Sequence, residues 1–369
     1  LTTEHLTLDS IETTFGESDL SGALEAHLGD KTAIGGQLQS KRLDMTPFAA
    51  DEEEAKEKPS PKSDQDQAES KFVFVDEPLP FEALNNMDLD IESNIGQLTF
   101  ENIVLLDVAT RIELKDGNLH FINRYAGPQG GRSVSDIMLT TSSQSAKLDM
   151  EVKMRDLRAN LLSGDAAKPS QIPPVGITLD MESTGSSPRA LVASAKGRLL
   201  VTQGKGQVEN GLMGKFSGDI GAQLFSALNP FSKEEKFTSL DCTILGFEMN
   251  NGKADITGML FQTEKVKALG KGDIDLNTEA LNIKFNTKPR EGVGITADMF
   301  ITPYVKLAGT LASPSIALNK EGALISAGAA VATGGLSVLA KGAADRATGG
   351  QDRCSTLLSE VGGHPPLEK

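Results

Sequence analysis

The chain has no tryptophan, only 2 tyrosines, 4 histidines and 2 cysteines among its 369 residues. So little aromatic mass argues against a conventional compact enzyme of this size, in which large aromatic side chains supply much of the buried core. The cysteines, Cys242 and Cys354, permit one disulfide in an oxidising compartment and equally permit two free thiols. His5, His27, His120 and His364 are scattered, with no H-E-x-x-H run and no Cys/His ligand spacing, so neither a metal centre nor a cofactor is expected. Basic residues are also in deficit: 36 Lys and Arg against 51 Asp and Glu give a formal net charge of −15. That balance excludes nucleic acid as a partner, because phosphate binding rests on clustered cations. It also repels anionic headgroups, which leaves apolar burial as the route to any lipid contact.

Catalytic signatures are missing as well. There is no P-loop and no G-x-S-x-G elbow, and Gly204-x-Gly206 and Gly270-x-Gly272 sit inside strand patterns without the third glycine of a dinucleotide loop. Close backbone contacts between strands account for them better. Asp273, Asp275 and Glu279 read as a solvated strand face, not as a catalytic carboxylate pair. The chain is expected not to be an enzyme.

What is present is alternation. From Ala254 to Asn319, small or apolar residues fall on every second position, at Ala254, Ile256, Gly258 and Leu260, then from Val266 through Ala268, Gly270, Gly272 and Ile274 to Leu276. Leu281, Ile283 and Phe285 follow, then Val305, Leu307, Gly309 and Leu311 before Pro314. A period of two marks strands with one wet and one apolar face. The same pattern runs through Leu6 to Leu38, Met87 to Phe121 and Ile137 to Val152, punctuated by hairpin turns at Asp116-Gly117 and Asn250-Asn251-Gly252. Strands are also expected at Ile177 to Met181 and from Ala193 to Val201, with short helical segments at Phe81 to Asn86 and Met154 to Leu162.

Three segments depart from this pattern. Residues 50–71, with DEEEAKEKPSPKSDQDQAES at 51–70, hold nothing to bury and read as a disordered acidic, Pro-bearing linker. Within 211–229, Leu212, Phe216, Ile220, Leu224 and Leu228 recur at helical spacing, either closing a sheet end or lying at a membrane interface. The Gly/Ala-rich tail 321–369 contains the uncharged run GALISAGAAVATGGLSVLA, long enough for a membrane span but dominated by small residues that suit a helical hairpin packed on a sheet end.

The run Gly270 to Leu281, G-x-G-x-I-D-L-x-T-E-x-L, and the run Val305 to Leu318, V-K-L-x-G-T-L-x-S-P-x-I-x-L, followed by the small-residue tail, resemble the C-terminal region of the AsmA family. Pro80 to Gly117 and, more weakly, the first segment extend the likeness. The resemblance implies a Gram-negative envelope protein, similar in architecture to bridge-like lipid-transfer proteins: an elongated, curled antiparallel sheet forming an open β-groove. It divides the chain into a strand repeat at 1–49, the linker at 50–71, a groove domain at 72–320 and the tail at 321–369. It further implies phospholipid as ligand, transfer between inner and outer membranes in support of outer-membrane biogenesis, and attachment to the inner membrane through an N-terminal anchor not present in a chain that begins at Leu1. Envelope proteins are the other expected partners. The expected lining is Ile256, Leu260, Ile274, Leu276, Leu281, Ile283, Phe285, Val305, Leu307 and Leu311. A periplasmic scaffolding β-protein with its sheets closed into a dry core remains the alternative. An open groove predicts a modest folding cost for Ile283→Asp or Leu307→Asp, and a closed core predicts collapse.

Overall fold

The computed structural model describes residues 5–48, 72–100, 103–142, 144–158, 171–209, 236–289, 304–319, 353–361 and 363. The linker at 50–71, the helical spacing at 211–229 and the small-residue run at 321–352 lie outside them. The described residues are mainly β and form open sheet, as the alternation predicts. They fall into two compact units: Leu1–Leu161 with Leu179–Ala195, and Leu162–Thr178 with Lys196–Lys369.

The first unit contains β1 (His5–Phe15), β2 (Ser18–Leu28), β3 (Thr32–Asp44), β4 (Met87–Phe100), β5 (Ile103–Lys115), β6 (Asn118–Ala126), β7 (Arg132–Thr141) and β8 (Ala146–Leu157). Each pairs with the next in chain order. Tight turns with φ > 0 at both central residues match the twist of antiparallel strands, and Asp116 (φ 49°) with Gly117 (φ 76°) supplies one between β5 and β6.

One joint departs from the antiparallel expectation. β3 and β4 run parallel, in register from Thr32 opposite Met87 to Asp44 opposite Thr99. Parallel neighbours need a crossover of a dozen residues or more, and residues 45–86 provide that length. The expected domain boundary at 50–71 therefore interrupts the chain but not the sheet. Lys31 Nζ stitches the joint, 2.6 Å from Asp88 Oδ1 and 2.6 Å from Asp116 Oδ1. Its hydrogen bond holds the Asp88 carboxyl below the usual carboxylate range. At the β2–β3 edge the Asp19 carboxylate accepts from the backbone N–H of Arg42 (2.9 Å) and Lys41 (3.1 Å), which lowers its pKa in the same way.

Two local expectations are corrected. Met154 to Leu157 continue β8, with Met154 opposite Ser133, because Met150, Val152 and Met154 keep the period of two against β7. The strand expected from Ala193 is preceded by a helix: α1 (Phe81–Asn85) lies where expected, but α2 (Pro188–Ser194) occupies the start of that run. Ser187 Oγ accepts from Ala190 N–H at 3.1 Å and Pro188 opens the first turn, a capping arrangement that outweighs the small-residue alternation behind it. β9 (Val175–Gly185) precedes that helix.

The second unit contains β10 (Lys196–Gln203) and β11 (Gly206–Glu209), both antiparallel to β12 (Phe237–Asn250). β13 (Lys253–Thr263), β14 (Val266–Asp275), β15 (Ala280–Pro289), β16 (Tyr304–Gly309) and β17 (Pro314–Asn319) follow as an antiparallel meander. α3 (Arg353–Glu360) packs Leu357 against Ile244, Leu260 and Leu200, and Cys354 is disulfide-bonded to Cys242 with the Cα atoms 6.2 Å apart. An isolated eight-residue helix is marginal in water, so the bond and these contacts hold it. No helix among the described residues is long and apolar enough to cross a membrane.

Candidate functional site

In the second unit, Ile256, Ile274, Leu281, Ile283, Phe285, Val305, Leu307 and Leu311 gather into one apolar cluster with Met259 and Ala268. Register explains the grouping: Ile274 faces Leu281, Ile283 faces Leu307 and Phe285 faces Val305. Leu260 is a correction. The pairing of β12 with β13 shifts between Gly246 opposite Gly258 and Phe247 opposite Ile256, leaving Thr257 as an extra residue. Such a bulge reverses the face that a strict period of two assigns. Leu260 consequently lies opposite Ile244, in the cluster beneath α3. Leu276 is buried in the turn after β14, outside the larger cluster. The helix residues Leu212, Phe216, Ile220, Leu224 and Leu228 lie outside the described residues.

This face is filled by its own side chains. Ile283 is 4% exposed, Phe285 6% and Val305 1%. The G-x-G of β14 permits the filling: a Cβ on Gly270 would strike the Met259 side chain, and Gly272 (φ 142°) lies against the carbonyl of Asn282. Those glycines serve close packing, as the strand reading requires. At the centre of the expected lining Ile283, Phe285 and Val305 are therefore buried, while Ile256, Ile274, Leu307 and Leu311 around them are only partly buried.

The first unit differs. Its registers align two uninterrupted cross-strand rows. One runs Leu6, Ala26, Ile34, Leu89, Leu114, Leu119, Leu139 and Leu148; the other runs Leu8, Leu24, Gly36, Ile91, Ile112, Phe121, Ile137 and Met150. A bulge in β1 between Leu8 and Ile11 keeps Ile11, opposite Gly22, on the same face. Of the sixteen residues only Leu114 is buried, while Leu6 and Leu8 are half exposed at 50% and 48%. Beside the strip a more polar row passes through Ser93, Thr110, Asn123 and Ser135, with Asn123 Nδ2 donating to Thr110 Oγ1 at 2.7 Å.

The opposite face of the same strands carries charge. Arg111 meets Asp90 at 3.2 Å, His120 meets Asp136 at 2.9 Å and Lys153 meets Glu151 at 2.6 Å. Exposed pairs add little stability, yet they fix which face is wet. Eight strands at about 4.8 Å spacing make the apolar strip roughly 34 Å long. Contiguous exposed apolar surface on this scale is uncommon in a soluble domain and marks a binding surface.

An open sheet with one charged face and one half-exposed apolar face defines a class of β-protein whose apolar side is accessible to a ligand. The AsmA family model matches residues 2–259, well over half of the chain, and the chain belongs to the AsmA family, whose proteins are associated with the bacterial envelope. No curated protein and no solved structure matches it.

Proposed function

We propose that this chain is a non-catalytic lipid carrier of the periplasm that moves phospholipid between the inner and outer membranes, with acyl chains lying on the apolar strip of the first unit. The observation that carries this reading is the pair of unbroken rows crossing β1 to β8 with almost every side chain still accessible. Each methylene withdrawn from water contributes about 0.8 kcal/mol, so a two-chain phospholipid faces a barrier on the order of 20 kcal/mol if carried bare. A continuous strip of Leu, Ile and Phe removes most of that barrier. Its length of roughly 34 Å exceeds the ~15 Å depth of one bilayer leaflet's hydrocarbon, so a chain has room to slide. Apolar contacts have no directional partner to break, which favours movement along the rows. The disulfide supports an oxidising compartment, in keeping with the periplasm. Attachment to the inner membrane and a part in outer-membrane biogenesis belong to the same proposal and rest on family membership.

The test replaces Ile112 or Ile137 with aspartate. Both are half-buried on the strip, so the carboxylate still reaches water and the cost is roughly 0.8–1.5 kcal/mol, half the worth of full burial. Native mass spectrometry of the purified variants is expected to show loss of co-purified phospholipid, while Tm falls by only roughly 2–6 °C. Wild-type protein that carries no lipid, in a folded state, would point to the scaffolding alternative.

A further inference from the structure

We propose that His5, Glu25 and His27 form a zinc site on the charged face of the first unit. The β1–β2 hairpin places His5 directly opposite His27, with ring centroids 4.2 Å apart in an edge-on arrangement. Glu25, two residues before His27, shares its face of β2 by the strand period. Glu25 Oε1 lies 2.9 Å from His27 Nε2 and 3.3 Å from His5 Nε2. One ligand atom from each residue falls within 4.8 Å of the other two.

Tetrahedral zinc with bonds of about 2.0–2.1 Å to nitrogen and oxygen separates its ligands by roughly 3.3 Å, which lies inside the observed range of spacings. Closing onto an ion therefore needs side-chain rotation and no backbone movement. The side chains, 50–52% exposed, are free to make that rotation. Two imidazoles and one carboxylate suit zinc, whereas calcium and magnesium favour all-oxygen ligand sets. Three protein ligands leave the fourth position to water. Sequence spacing hides the site, because the histidines are brought together by strand pairing and not by a local motif.

The test is titration of the tag-free chain with zinc chloride in competition with a chromophoric chelator. Wild type is expected to take up one zinc per chain, with excess magnesium or calcium failing to displace it. His5→Ala, His27→Ala and Glu25→Gln are each expected to weaken binding about 10-fold or more, at least what loss of an outer-shell partner costs a metal site. His120→Ala, in the separate His120–Asp136 pair, is expected to leave it unchanged. Circular dichroism checks that the variants fold, which half-exposed positions favour. No saturable uptake by wild type, or equal uptake by a His5→Ala/His27→Ala double variant, overturns the proposal.

Discussion

Ile283→Asp is expected to unfold the second unit, with a loss of at least about 3 kcal/mol. Ile283 is 4% exposed and packs among Leu281, Phe285, Val305 and Met259, so the new carboxylate is stranded without a partner in a low-dielectric cluster. The neighbouring substitution Lys284→Asp supplies the contrast. Lys284 points to the other face, between Lys271 and Lys306 on the flanking strands. An aspartate there replaces like-charge neighbours by opposite ones, and stability is expected to hold or rise slightly. Thermal unfolding of the two variants checks this, and similar melting of both would contradict the face assignment. An open groove at this position predicts tolerance, so the expectation for the second unit is that of a filled core.

Removal of the Cys242–Cys354 bond is the second large effect. The cysteines are 112 positions apart, and closing a loop of that order is worth up to about 4.7 kcal/mol in chain-entropy terms, with 2–4 kcal/mol typical of measured cases. The bond also pins α3 over Ile244 and Leu260, which are 2% and 1% exposed. For a unit of this size the loss corresponds to a fall in Tm of roughly 4–16 °C. Melting the oxidised protein beside the Cys242→Ser/Cys354→Ser variant measures it. Superimposable transitions would show that α3 stays docked by packing alone.

Strand existence and turn chemistry were legible in the sequence because both are local. The alternation of Leu281, Ile283 and Phe285, and the Asp116-Gly117 and Asn251-Gly252 turns, needed no knowledge of neighbours. Relations between strands are not local, and there the structure departs most from the pattern within each strand. A single extra residue, Thr257, put Leu260 on the opposite face from Ile256. The apolar rows of the first unit depend on β3 meeting β4 in parallel across residues 45–86, a pairing that no period within either strand encodes. His5 and His27 became neighbours in the same way. Of the runs that resemble the family, Pro80 to Gly117 lies inside the matched residues 2–259, whereas Gly270 to Leu281 and Val305 to Leu318 lie beyond them. One missed signal was local: Ser187-Pro188, a cap followed by a first-turn proline, announced α2.

Acyl chains lying on the strip crossing β1 to β8 are within reach of photo-crosslinking from single positions. A photoreactive residue is placed singly at Ile91, Phe121 or Ile137 on the strip and at Glu92, Ile122 or Asp136 on the opposite face of the same strands, and the cells are irradiated before purification. Phospholipid adducts are expected at the first set and none at the second. Adducts on both faces alike, or protein adducts in place of lipid along the strip, would contradict that placement of the acyl chains.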